Sequence, residues 1–219
     1  MPADHSAPPP SPPDQPSRIQ NIATYNAEAA LLAARYNALS TPDIIPDFAR
    51  LIEAVPDKTA YQVLDLGCGS GRDAYWLAQQ GVNVIACDGA AAMLAQARAQ
   101  HSHPHIQYMQ DDAPALFNLR ARGLKYDMVL MGAFLFHFDT DERQRLYSNL
   151  TTLLRPQAQL YITLRHGPVP QGRRMYDVSV QELEDFAQSH GGDAQYHGRK
   201  DDPLNRPGVF WDHVSIQLP

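Results

Sequence analysis

The sequence predicts a single α/β domain: a mainly parallel seven-stranded sheet, flanked by helices and closed by an antiparallel hairpin. Three observations predict it. Short apolar runs alternate with segments of helical spacing. A glycine-broken turn follows the first run, at Gly67, Gly69 and Gly71. The last two strand-like runs, near residues 194–197 and 209–218, have no good crossover helix between them, which suits a hairpin.

Taken in order, residues 1–18 are rich in proline and nearly free of large apolar groups. Such a segment buries too little to offset its ordering entropy and is expected to be a disordered tail. Residues 19–219 are expected to form the domain, opening with a helical lid over about 19–56. Tyr25, Ala29, Leu32 and Tyr36 recur at helical spacing up to Ser40. Thr41-Pro42 opens a second helix that runs to Val55, with Pro46 tolerated in its first turn.

The run Val63, Leu64, Leu66 reads as a buried parallel strand, and Arg72 to Ala78 resumes as a helix that Gly81 ends. Asn83 to Cys87 is a second strand, followed by an alanine-rich helix with Met93, Leu94 and Ala97 inward. Ile106 to Met109 is a third strand, with a short helix or turn around Leu116 and Leu119. Tyr126 to Met131 is a fourth. Asp139 with Glu142 forms a capping-box pattern and opens a helix that stops at Pro156. Leu160 to Leu164 is a fifth strand, and a second capping box, Ser179 with Glu182, opens the last helix. Trp211 is expected in the core.

Composition narrows the function. The 219 residues carry a formal net charge of −6, against general binding to nucleic acid or an anionic membrane. No apolar run approaches the length of a membrane span, and the N-terminus lacks the order of a signal peptide, so a cytoplasmic location is expected. Cys68 and Cys87 give no disulfide framework. The alternation of His101, His103 and His105 sits in a proline-containing loop, and no metal site is expected there.

In an open α/β sheet the ligand lies beyond the carboxyl ends of the strands, and this chain repeatedly places polar groups there. Asp88 follows the glycine turn at the interval where a strand-end acid reaches ribose hydroxyls. The Gly67-x-Gly69-x-Gly71 spacing differs from the G-x-G-x-x-G of dinucleotide sites. Asp65, on the strand itself, would repel a pyrophosphate and suit an ammonium group. A cationic nucleoside fits these features better than NAD does.

Val63-Leu64-Asp65-Leu66-Gly67-Cys68-Gly69-Ser70-Gly71 resembles the first motif of class I S-adenosylmethionine-dependent methyltransferases, with the short bacterial members nearest in character. The likeness extends over nearly all of residues 25–218. It implies a Rossmann-like fold, S-adenosylmethionine as cofactor and a small-molecule acceptor. By that resemblance Asp65, Gly67, Cys68, Gly69 and Gly71 would hold the methionine end, and Asp88 with Gly89 the ribose. Met93, Asp112 and Ala113 would meet the adenine, and Met131 would lie beside them. Asp111 is an alternative to Asp112, since either acid can end the third strand.

Phe136-His137-Phe138 matches the family's apolar-His-apolar triplet after the fourth strand, so His137 is the first candidate base and His166 the second. Packing between two phenylalanines is the other reading of His137. Arg165 either clamps an acidic acceptor or pairs with Asp139 or Asp177. Tyr25 and Tyr36 belong either to the lid over the cofactor or to aromatic core. The competing functions are a non-catalytic nucleoside sensor or interaction module and, with the wrong glycine spacing, an NAD-dependent oxidoreductase. A hydrolase lacks its G-x-S-x-G elbow. Acceptor identity and oligomeric state are not specified by these patterns.

Overall fold

A computed structural model describes residues 17–219. The expected tail therefore lies outside the described residues, except at its last two positions. There the structure corrects it: Ser17 N-caps the first helix through a reciprocal capping box with Gln20, and Arg18 is that helix's first residue. None of the helices among the described residues is long and apolar enough to cross a membrane.

The seven strands are β1 (Gln62–Leu66), β2 (Asn83–Asp88), β3 (Ile106–Gln110), β4 (Tyr126–Gly132), β5 (Leu154–His166), β6 (Asp193–Asp201) and β7 (Phe210–Gln217). They form one sheet in the order β3-β2-β1-β4-β5-β7-β6. The first five are mutually parallel, and β7 runs antiparallel to both β5 and β6. The direction of strand order reverses between β1 and β4, which opens a crevice at their carboxyl ends.

The strands are apolar on both faces because helices cover both. Leu64, Leu66, Val129 and Met131 pack into one core cluster, and Val63, Met128, Leu130 and Tyr161 into the other. Each such fully buried side chain contributes about 1.5–3 kcal/mol.

The N-terminal region departs from the expectation of two helices. It holds four: α1 (Arg18–Ala27), α2 (Ala29–Asn37), α3 (Thr41–Ile44) and α4 (Pro46–Glu53). Glu28, at φ −100° and ψ 7°, interrupts the first pair. Pro46 interrupts the second, since it drives the preceding residue out of the helical region and leaves Ile45 at φ −132° and ψ 61°.

The remaining helices are α5 (Arg72–Gln79), α6 (Ala91–Gln100), α7 (Phe117–Ala121), α8 (Thr140–Thr151) and α9 (Val180–Ser189). Pro156 does not stop α8. That helix ends five residues earlier, and Pro156 already belongs to β5, beside a register shift at which Gln157 adopts a φ of 62°. The capping box on α8 is complete, whereas that on α9 is half formed. Ser179 accepts from the Glu182 N–H, but the Glu182 carboxylate is drawn to Arg143 and Tyr147 instead.

Candidate functional site

A cavity of about 510 Å³ occupies the crevice beyond the carboxyl ends of β1, β2, β4 and β5. Its size falls in the range of small-molecule sites. Its wall on the β1–β3 side is largely main chain. Gly67 has a φ of +82°, which an L side chain rarely adopts, and a Cβ there would overlap the Phe134 ring. The absence of a side chain is what lets the turn run close beneath the cavity.

Asp88 ties this turn to β2. One of its oxygens accepts from the Gly69 N–H at 2.9 Å and the other from the Ala90 N–H at 2.8 Å. A carboxylate offers about four lone-pair sites, so capacity remains for hydroxyl donors. Burial raises the Asp88 carboxyl above its ordinary range, partly offset by those backbone N–H groups. Cys68, Gly69, Gly89, Met93, Asp112 and Ala113 also line the cavity. The adjacent acids Asp111 and Asp112 both line the cavity but differ in burial. Asp111 is 6% exposed and accepts from the backbone of Asp112 and Leu119, whereas Asp112 pairs with Arg18 across the cavity mouth.

Three expected members lie elsewhere. Gly71, the N-cap of α5, packs against Tyr108 and Ala97 and does not line the cavity. Met131 is fully buried in the core on the opposite face of β4, because alternation along the strand turns it away from the cavity that Gly132 lines. Asp65 sits beneath the turn rather than on the cavity wall, with Oδ2 lacking a partner. Its carboxyl is held well above the usual range by burial and by Asp73. Asp73, in the first turn of α5, does line the cavity. It accepts from Thr41 Oγ1 at 2.6 Å and from Arg72 at 2.9 and 2.7 Å. The sequence signal for it was an acid just inside a helix that starts at a glycine turn.

The opposite wall is built from side chains that are distant in sequence. Tyr25 and Tyr36 both line the cavity, and burial raises both phenols. Asn21 of α1, missed in the sequence, accepts from the Arg174 N–H and donates to the Arg174 carbonyl, each at 3.3 Å. That grip fixes which end of its amide carries the hydrogens. The same NH2 group therefore donates to His137 Nδ1 at 3.0 Å. Nδ1 is then the acceptor nitrogen, and Nε2–H donates to the Tyr25 hydroxyl at 3.3 Å. Burial pushes the imidazole down to about 4; a hydrogen-bonding contact with the Arg174 main chain opposes this, and the charges of Arg173 and Arg174 add to it.

His166 is not brought into this cavity. It stacks on Phe210 and lies between Asp177 (2.8 Å) and Asp212 (3.1 Å) beside a separate surface recess. Asp177 thus takes His166 as partner rather than Arg165, and Asp139 takes Arg174. Trp211 is not core either: it lines the cavity and donates to Asp202 at 2.9 Å. In the histidine-rich loop, His103 stacks on His105, whose Nδ1 lies 3.0 Å from Asn83.

Residues 63–157 match a family model described as a methyltransferase domain. That segment is similar to methyltransferase domains. Malonyl-[acyl-carrier protein] O-methyltransferase of Pectobacterium atrosepticum is 43% identical to the protein over 139 residues, 61% of this chain and 46% of that relative. Trans-aconitate 2-methyltransferase of Deinococcus radiodurans is 30% identical over 139 residues, covering 62% and 50%. The chain thus spans about half the length of these curated relatives. The methyltransferase fold extends well beyond the matched segment. Magnesium protoporphyrin IX methyltransferase from Synechocystis, solved with bound S-adenosylmethionine, aligns over 95% of this chain and 100% of its own, at a TM-score of 0.71 and 17% identity. Phosphoethanolamine N-methyltransferase 2 of Haemonchus contortus covers 92% of this chain and 60% of its own, at a TM-score of 0.67 and 18% identity.

Proposed function

We propose that the protein is an S-adenosylmethionine-dependent methyltransferase acting on a small acceptor in the cytoplasm. The observation that carries this reading is the glycine turn pinned by the strand-end carboxylate of Asp88 at the cavity edge. A backbone cradle without side chains beside an acid with spare acceptor capacity fits a ribose-bearing ligand.

In this reading Gly67, Cys68 and Gly69 cradle the methionine end, and Asp88 and Gly89 receive the ribose. Met93, Asp112 and Ala113 border the adenine. Arg72 and Asp73 offer opposite charges to the amino-acid end, the role that Asp65 is too deeply placed to fill directly. The cofactor supplies a methyl group already bonded to a good leaving group. The chain's own contribution is positioning, which in well-oriented systems accounts for about 7–11 kcal/mol of barrier reduction. The α1–α4 segment acts as the lid. His137 orients Tyr25 rather than removing a proton, because its basic lone pair is held by Asn21.

Calorimetry with S-adenosylhomocysteine and with NAD tests this. The first should bind and the second should not; tight NAD binding would sink the assignment. Asp88→Ala should weaken S-adenosylhomocysteine binding by about 10- to 100-fold. Unchanged affinity would remove the ribose role.

A further inference from the structure

The cations on the cavity wall are not alike. Arg18 pairs with Asp112, and Arg72 with Asp73. Arg206 is bidentate on Asp202 at 2.9 and 2.7 Å, and Lys200 lies 3.9 Å from Asp47. Arg165 stands apart. It is 7% exposed, and its hydrogen bonds among the described residues run to the Gly167 carbonyl (3.4 Å), the Pro168 carbonyl (2.8 Å) and Met175 Sδ (3.7 Å). Nε has no partner among the described residues. None of these groups is an anion. Burial and then Arg206 push its proton affinity down, which is the sign of a cation whose charge is poorly compensated. A guanidinium in that position carries a desolvation cost that an incoming anion offsets.

A second observation concerns bases. Two imidazoles line the cavity. The acceptor nitrogen of His137 is occupied by Asn21, and His213, 3% exposed, meets the Tyr161 hydroxyl through Nδ1 at 3.2 Å. Among the carboxylates on the lining, Asp73, Asp112 and Asp202 are engaged by arginines and Asp88 and Asp111 by backbone N–H groups, which leaves Asp43 and Asp201 without such a partner among the described residues. With most of its bases engaged, such a wall suits a nucleophile that arrives already deprotonated. Arg206 and Asp202 act on Arg165 from nearby, and the lining also carries large apolar side chains, Phe134, Phe136, Met175 and Trp211 among them. One poorly compensated positive charge among such groups favours a monoanion with an apolar body over a polyanion.

We propose that the acceptor is a small, apolar-bodied carboxylic acid, held through Arg165 and methylated on a carboxylate oxygen to give its methyl ester. This rests on the reading of the cavity as an S-adenosylmethionine site. A lone pair of the carboxylate oxygen forms the new O–CH3 bond while the S–CH3 bonding pair returns to sulfur. Anion and sulfonium are both neutralised, and no proton moves. Arg165 is therefore a specificity-determining residue.

The test uses the full chain. Calorimetry first establishes S-adenosylhomocysteine binding; its failure would overturn the cofactor reading, and the present proposal with it. Octanoate, benzoate and phenylacetate are then titrated into the S-adenosylhomocysteine complex, with octanamide and benzamide as neutral counterparts. At least one acid should bind and the amides should not. With methyl-labelled S-adenosylmethionine the same acid should yield a product that releases labelled methanol in alkali. Arg165→Gln should weaken acid binding roughly 30-fold or more with S-adenosylhomocysteine affinity unchanged, and Arg165→Lys should recover part of the loss. Binding of S-adenosylhomocysteine without binding of any acid, equal binding of acid and amide, or an alkali-stable labelled product would each overturn the carboxylate assignment alone.

Discussion

The two walls of the cavity are made in different ways. The wall beyond β1–β3 is organised by main chain: a glycine turn and strand ends, tied by a carboxylate that bonds the turn from 19 residues downstream, with nearby side chains such as Asp73 and Met93 around it. The wall beyond β4, β5 and β7 is side chain: Asn21 reaches Arg174 across 153 positions, and Tyr25 reaches His137 across 112. A site built from backbone is written in a short motif and tolerates little substitution. A site built from distant side chains can change its chemistry without disturbing the fold.

The largest effect that tests this contrast is expected at Gly67. Gly67→Ala combines a positive φ with overlap against Phe134, and should cost about 3 kcal/mol of stability and abolish S-adenosylhomocysteine binding. Urea unfolding together with calorimetry measures both. A variant with native stability and binding would show that the turn is not a tight backbone cradle.

The walls should also answer pH in opposite senses. His137 and His213 are both pushed down to about 4, principally by burial, against an unfolded value of 6.5. For a depressed group the stability is present above 6.5 and is lost as pH falls toward 4. Each histidine should thus remove about 2 kcal/mol by pH 5. Denaturant midpoints at pH 7 and 5 give the loss, and His213→Asn should flatten it by about half. An unaltered slope in that variant would contradict the buried neutral imidazole.

On the other wall Asp65 and Asp88 are raised, so their contribution is present at low pH and fades as pH rises through their folded values. The smallest predicted effect follows. Asp65→Asn should stabilise the protein by about 1 kcal/mol at pH 7, and the gain should shrink as pH falls and the native carboxyl takes up its own proton. Thermal unfolding across that range reads it; a gain that is constant with pH would mean that Asp65 is not a buried charge.

The same contrast explains what could be read from the sequence. The seven strands and their hairpin were legible because apolar runs and turn residues are local signals. So were Gly67, Gly69 and Asp88 as a group, although their roles rest on the proposed function. Met131 was misplaced because a strand apolar on both faces does not declare which side meets the cavity. The break at Ile45 could have been read from Pro46, and weighing that proline as tolerable hid it. His166 and Arg165 are adjacent in sequence and both line the outer recess, yet only the arginine also reaches the cavity. The grip of Asn21 on Arg174 has no sequence signature, since neither residue lies in a motif.

That grip has a kinetic consequence. The hydrogen-bond partner that ties up the His137 lone pair belongs to the same helix that walls the cavity, so entry and proton affinity share one hinge. If α1 acts as the proposed lid and lifts to admit a molecule, the imidazole would lose both its donor and its shelter and return toward the basicity of a free histidine. An open chain at pH 5 would carry a charged imidazole that must shed its proton before the helix can seat again. Reclosure, rather than any bond-making step, is then the event that acid slows.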